Sequence, residues 1–223
     1  MLEKRLGLIG KIMRRFSDAY EDMDIYAILA EHSIYHTPNY VYMKGAGRLR
    51  AGAGEACDID LRSLRQGIGL SGEDLDKLCW TDLSEVTRVI TIENLTTFFR
   101  WEEENSILIY LGGYHNNVRK KLLQNIHAML PHAEYLHFGD IDVGGFEIYR
   151  DLCKRTGIAF QPYLMGIEQL KEYNDCTRKL TDNDHKRLAL LMEKEEDSGI
   201  AAVLEYMSRH GVKLEQESIR LKK

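Results

Sequence analysis

From residue 85 onward, short aliphatic and β-branched runs alternate with stretches of helical spacing, and that alternation most narrows the fold. Val86–Ile92 is a short β-branched run, as suits a buried parallel strand, and it ends at Glu93. Ile107–Leu111 is a second such run, ending at Gly112-Gly113, and Tyr135–Phe138 is a third, ending at Gly139-Asp140. Between the last two, Val118, Leu122, Ile126 and Leu130 form one apolar stripe on a helix and leave Arg119, Lys120 and Lys121 off it. Phe146, Ile148, Tyr149 and Leu152 follow on another helix, and Ile158–Met165 reads as a fourth strand. Helical patterns after Thr181 and Ser198 lead to a tail holding Leu214-Glu-Gln-Glu217. The expected architecture is α/β: a Rossmann-like parallel sheet flanked by helices.

The texture before residue 85 differs. Residues 2 to about 35 carry Leu6, Ile9, Ile12, Met13, Phe16 and Tyr20 at helical spacing, with a break expected at Glu21–Asp24. Pro38–Ile59 is strand-like and then rich in glycine (Gly45, Gly47, Gly52, Gly54), and Ser71 is expected to cap a short helix running through Leu78. Two regions follow: a helical and strand segment over 1–84, and an α/β domain over 85–223 with a C-terminal helical extension. No apolar run is long enough to span a bilayer and no signal-like segment opens the chain, so a cytoplasmic protein is expected. Cys57, Cys79, Cys153 and Cys176 are widely spaced without a CxxC pair, which points to reduced, mostly core thiols.

In open α/β sheets, chemistry gathers at the carboxyl ends of the strands. Glu93 ends the first run, and Asp140 and Asp142 end the third in Phe138-Gly-Asp-Ile-Asp-Val-Gly-Gly145. Residues two apart in an extended segment share a side, so Asp140 and Asp142 can face one site while Ile141 turns into the sheet. Paired carboxylates suit Mg²⁺, with Glu93 completing the site or acting as general acid or base. Gly139, Gly144 and Gly145 permit tight turns and close approach, and a helix N-terminus after Gly112-Gly113, near Arg119–Lys121, could seat a phosphate. The plainer alternative is that Asp-x-Asp simply caps the next helix.

The segments Val89-Ile-Thr-Ile-Glu-Asn-Leu-Thr-Thr-Phe98, Leu111-Gly-Gly113 and Gly139-Asp-Ile-Asp-Val-Gly-Gly-Phe146, in that order, resemble the Toprim metal-binding domain. More narrowly, they resemble the JetD family, nuclease subunits of the Wadjet anti-plasmid defence system related to the A subunit of type IIB topoisomerases. Gly211-Val-Lys-Leu-Glu-Gln-Glu217 resembles a motif near the end of that family. The resemblance implies a Toprim-like sheet and Mg²⁺-dependent (or Mn²⁺-dependent) cleavage of double-stranded DNA by a homodimer beside an SMC-like motor complex. Glu93 would be the Toprim glutamate, Asp140 and Asp142 the metal-binding pair, and Glu217 an additional acidic ligand. Gly144 stands where many Toprim proteins carry a third aspartate, and the winged-helix region usual at the family's N-terminus is not recognisable in residues 1–84, which read as the remainder of a larger DNA-binding region. Topoisomerase-like relatives cut with a tyrosine; Tyr20, Tyr26, Tyr35, Tyr40 and Tyr42 lie in no such motif, so hydrolysis by metal-activated water is expected over a tyrosine transesterase. A third alternative is a non-catalytic, metal-binding DNA-docking module.

His115 and His137 flank the expected site and read as hydrogen-bonded structural residues. Glu147 reads as a favourable first-turn charge, and Glu102–Glu104 and Glu193–Asp197 as solvated acidic faces. The net charge of −5 argues against a protein that coats DNA by being basic. Its distribution changes that reading: the balance is 8 basic to 6 acidic over 1–50, 9 to 16 over 51–150 and 13 to 13 over 151–223. The acidic block holds Glu93, Asp140 and Asp142, so contact with DNA is expected to require divalent cations and basic surface from elsewhere.

Overall fold

The computed structural model describes residues 5–35, 40–51, 57–112 and 117–220, and the chain divides into two compact units, Met1–Asn39 and Tyr40–Lys223. The 84/85 point therefore falls inside the second unit. In the first, α1 (Leu6–Phe16) and α2 (Ile25–Glu31) follow the expected helical spacing. Asp24 separates them by capping α2, accepting from the backbone N–H groups of Tyr26 and Ala27 at 2.7 and 3.1 Å.

The second unit is built on a mixed six-stranded sheet. Its strands are β1 (Tyr40–Gly45), β4 (Ile68–Ser71), β6 (Arg88–Ile92), β7 (Ser106–Tyr110), β8 (Glu134–Phe138) and β9 (Gln161–Pro162), in the order β4-β1-β7-β6-β8-β9. The pairs β7–β6, β6–β8 and β8–β9 are parallel, while β1 and β4 add an antiparallel edge. A separate antiparallel sheet joins β2 (Arg48–Ala51), β3 (Cys57–Asp60) and β5 (Leu78–Asp82). Helix α4 (Leu95–Arg100) follows β6, helices α5 (Asn117–Met129) and α6 (Val143–Thr156) cross between strands, α7 (Ile167–Glu172) follows β9, and α8 (Asp182–Met192) and α9 (Ser198–His210) form the C-terminal extension. This is the expected Rossmann-like α/β architecture. Among the described residues, no helix is long and apolar enough to cross a membrane.

Period-two alternation places the strand residues. Ile90, Ile92, Leu108, Leu136 and Phe138 join one buried cluster with α6, α8 and α9, while Val89, Ile107, Ile109 and Tyr135 join another with α5. Burial on both faces explains why these strands read as continuous apolar runs.

Four expectations are corrected. The fourth strand pairs over Gln161–Pro162 alone, although Ile158, Phe160 and Met165 are all buried: Pro162 has no N–H to donate, and Leu164 turns the chain at φ +55. The helix capped by Ser71, α3 (Gly72–Leu75), ends before Leu78, which starts β5 instead. Cys57, Cys79 and Cys176 are exposed and only Cys153 is half-buried, because the first two lie on the outlying three-stranded sheet and Cys176 lies in a 3₁₀ turn. Glu103 is likewise not a solvated charge, since it accepts from Arg88 at 2.8 Å and from the Tyr163 hydroxyl at 2.9 Å.

Gly45 ends β1 at φ +109, and a Cβ there would stand 2.0 Å from the Ser106 carbonyl oxygen of neighbouring β7. Gly45→Ala is expected to lower the urea midpoint, with a loss of about 2–4 kcal/mol; an unchanged midpoint would show that this sheet edge yields without cost.

Candidate metal centre

The β6–β8 pairing continues one step past the strands, where the Glu93 N–H donates to the Phe138 carbonyl at 3.0 Å. That bond sets Glu93 beside the turn Gly139-Asp140. Side-chain volume is excluded at the turn: a Cβ on Gly139 would lie 2.8 Å from Glu93 Oε2 and 2.9 Å from His137 Nε2. Ile141 then turns inward, fully buried, and bridges in antiparallel fashion to Leu214. Asp142 caps α6, its Oδ1 accepting from the Gly145 N–H at 2.7 Å. The capping alternative is thus correct for one oxygen of Asp142, while Asp140 does not cap α6.

The C-terminal tail completes the enclosure. After β11 (Val212–Lys213), the Ile141–Leu214 bridge carries the chain across the strand ends, where Gln216 is fully buried. Its backbone N–H donates to Asp140 Oδ1 at 2.7 Å, its side-chain Nε2 donates to the Phe138 carbonyl at 2.7 Å, and its Oε1 accepts from the Asn94 N–H at 2.8 Å. Glu217 Oε1 accepts from Asn94 Nδ2 at 2.7 Å, and Arg100 binds the carbonyls of Glu217 and Ile219. Glu215 pairs with Arg178 of β10 (Arg178–Lys179) at 2.8 Å.

These acids raise one another's pKa values. Burial, then the Asp140 and Asp142 carboxylates, push Glu93 up to about 7, against the pull of a backbone hydrogen bond from Asp140. Burial likewise pushes Asp140 up to about 6; the Gln216 N–H opposes that rise, and Asp142, Glu215 and Glu217 add to it. The structure therefore brings together Glu93, Asp140 and Asp142, with Glu217 and also Glu215 at the rim. Glu93 Oε2 is buried without a hydrogen-bond partner. Among the described residues, no three His, Cys, Asp or Glu side chains stand as a ready-made ligand cage. In donor chemistry these residues fit a hard cation, since carboxylate oxygens are the ligands taken by an ion that keeps most of its water.

Other residues singled out by sequence fall elsewhere. His137 is fully buried, with Nδ1 2.9 Å from the Thr91 hydroxyl, as a structural histidine would be. His115 and Gly113, and with them the expected phosphate seat, lie outside the described residues. Arg119 stacks over the Tyr110 ring at 5.8 Å and Lys121 pairs with Asp76 at 2.6 Å. Glu147 pairs with Arg187. Sequence reasoning missed Asn94, Glu215 and above all Gln216; the quoted tail motif was the available signal.

A curated relative is the Wadjet protein JetD of Bacillus cereus (strain Q1), 26% identical over 223 residues. That alignment covers 98% of this chain and 52% of the relative, so the chain spans about half the length of the curated relative it matches. Residues 59–223 also match the family described as "Wadjet protein JetD, C-terminal". With most of its length inside that match, including all five clustered carboxylates, the chain belongs to the JetD family.

Proposed function

We propose that this chain carries the catalytic centre of a Mg²⁺-dependent (or Mn²⁺-dependent) endonuclease that hydrolyses double-stranded plasmid DNA, as part of a Wadjet-type anti-plasmid system. The observation that carries this reading is the buried, unpartnered Glu93 Oε2 beside Asp140 and Asp142 at adjacent parallel strand ends. Membership of the JetD family supports it, and the partners follow from the same resemblance: a second copy of the subunit and an SMC-like motor complex.

Glu93, Asp140 and Asp142 would hold the cation, with Glu217 at the rim. The cation, when bound, supplies neutralisation of phosphate charge and a more acidic water. The protein's own groups fix the frame. The Gly145 N–H anchors one oxygen of Asp142, the Gln216 N–H anchors one oxygen of Asp140, and buried Ile92, Phe138 and Ile141 keep water from the rear of the site. Arg178, paired with Glu215, supplies a basic group at the rim for backbone phosphate. Of the upstream tyrosines, Tyr42 packs half-buried against Phe99 and Tyr110, while the Tyr20 hydroxyl lies 3.1 Å from His32 Nε2 in the Met1–Asn39 unit, so a tyrosine nucleophile is the alternative that an adduct assay separates from hydrolysis.

The decisive assay is cleavage of circular plasmid by the full-length parent protein with its partner subunits and Mg²⁺ or Mn²⁺. Asp140→Ala and Glu93→Gln should each lower cleavage about 100-fold or more, and no protein–DNA adduct should accumulate. Full cleavage by Asp140→Ala would overturn the reading, and a covalent adduct would favour a tyrosine transesterase.

Stability gives a second test independent of activity. A carboxyl whose pKa is raised by folding stabilises the native state below its unfolded value and loses that contribution as pH rises through the folded value. For Glu93 the window runs from about 4.5 to about 7. In EDTA, the melting temperature of Glu93→Gln should therefore gain on that of the parent between about pH 5 and pH 8. Adding Mn²⁺ at pH 8 should raise the parent's melting temperature and leave Asp140→Ala almost unmoved. A flat difference curve and no response to Mn²⁺ would count against a cation site.

A further inference from the structure

Gln216 has the contacts of a residue that aligns the two halves of the site. It is uncharged and lies more than seventy residues from either strand end in sequence, yet it is fully buried between them. Its amide is engaged in opposite directions: Oε1 takes the Asn94 N–H, next to Glu93, and Nε2 gives to the Phe138 carbonyl, two residues before Asp140. Its own backbone N–H is then aimed at Asp140 Oδ1. The Phe138 carbonyl also accepts the Glu93 N–H, so one carbonyl oxygen joins β6, β8 and the tail.

We infer that Gln216 is a positioning residue for the cation site, holding Glu93 and Asp140 in one alignment through a side chain that itself never touches the cation. This rests on the metal reading above. A side chain that merely filled space at this point would need no amide, since an apolar residue would bury more cheaply than a polar one. Groups that orient ligands from behind usually cost about 10–100-fold in metal affinity when removed.

The test measures Mn²⁺ affinity by the electron paramagnetic resonance signal of free Mn²⁺, on the full chain, in parallel with thermal melting. Gln216→Met keeps the length of the side chain and removes both hydrogen bonds; it should weaken Mn²⁺ binding about 10–100-fold. Gln216→Asn keeps the amide on a shorter arm that cannot span both partners and should fall between Gln216→Met and the parent. It also serves as the reading if Gln216→Met fails to fold. Ile219→Ala, a buried apolar truncation in the same tail, should lower the melting temperature and leave Mn²⁺ affinity within about twofold. Parent-like affinity in folded Gln216→Met or Gln216→Asn, or equal weakening by Ile219→Ala, would overturn the positioning role and leave the metal reading standing. A parent that binds no Mn²⁺ would overturn both.

Discussion

The parallel ladder between β6 and β8 is the interaction on which the candidate site depends. Its register pairs Ile92 with Phe138, and the next residues along, Glu93 and the Gly139-Asp140 turn, are carried out of the sheet side by side. The ladder is held by burial on both faces, with Ile90, Ile92, Leu136 and Phe138 on one side and Val89 and Tyr135 on the other. A slip of one residue would move each of these side chains to the wrong face, so the core that stabilises the sheet also sets the alignment of the acids. Collecting carboxylates in a half-buried place is unfavourable, as the raised values of Glu93 and Asp140 show. The apolar core behind them offsets that cost.

Legibility in the sequence followed the range of the interaction. The strands ending at Glu93 and Asp140 were readable because two-sided burial leaves a short run of β-branched, aliphatic and aromatic residues with an abrupt acidic end. The common orientation of Asp140 and Asp142 was readable from period-two geometry, and Ile141 turning inward to Leu214 agrees with it. The extent of β9 was not readable, because buried Ile158, Phe160 and Met165 mimic a strand although the chain pairs with β8 over two residues. Helix α3 ran short for a similar reason: its capping box is local and visible, but its end is set by β5 joining β2. Gln216 was hidden because glutamine carries no charge signal and its partners lie far off in the chain, whereas Glu217 drew attention as an acid and proves to be exposed, held through Asn94.

The charge of the middle hundred residues acquires a location once the ion pairs are traced. Asp58 is met by Arg50, Asp60 and Glu85 by Arg62, Asp76 by Lys121, Glu103 by Arg88 and Glu147 by Arg187. Among the described residues, no lysine or arginine pairs with Glu93, Asp140 or Asp142, and the arginines near them engage other groups: Arg178 the Glu215 carboxylate, Arg100 the tail carbonyls. Part of the unbalanced acidity therefore lies at the strand ends, half-buried, while Glu73, Asp74, Asp82 and Glu104 carry theirs on the exposed surface. Surface carboxylates can be screened by salt, but a half-buried group with an unpartnered oxygen is screened far less. Under the proposed function, such a cluster would repel a DNA phosphate when empty and attract one once a divalent cation is bound. The acidic excess that counts against nucleic acid in a simple tally is, at this place in the fold, the charge pattern that a cation-dependent phosphodiesterase needs.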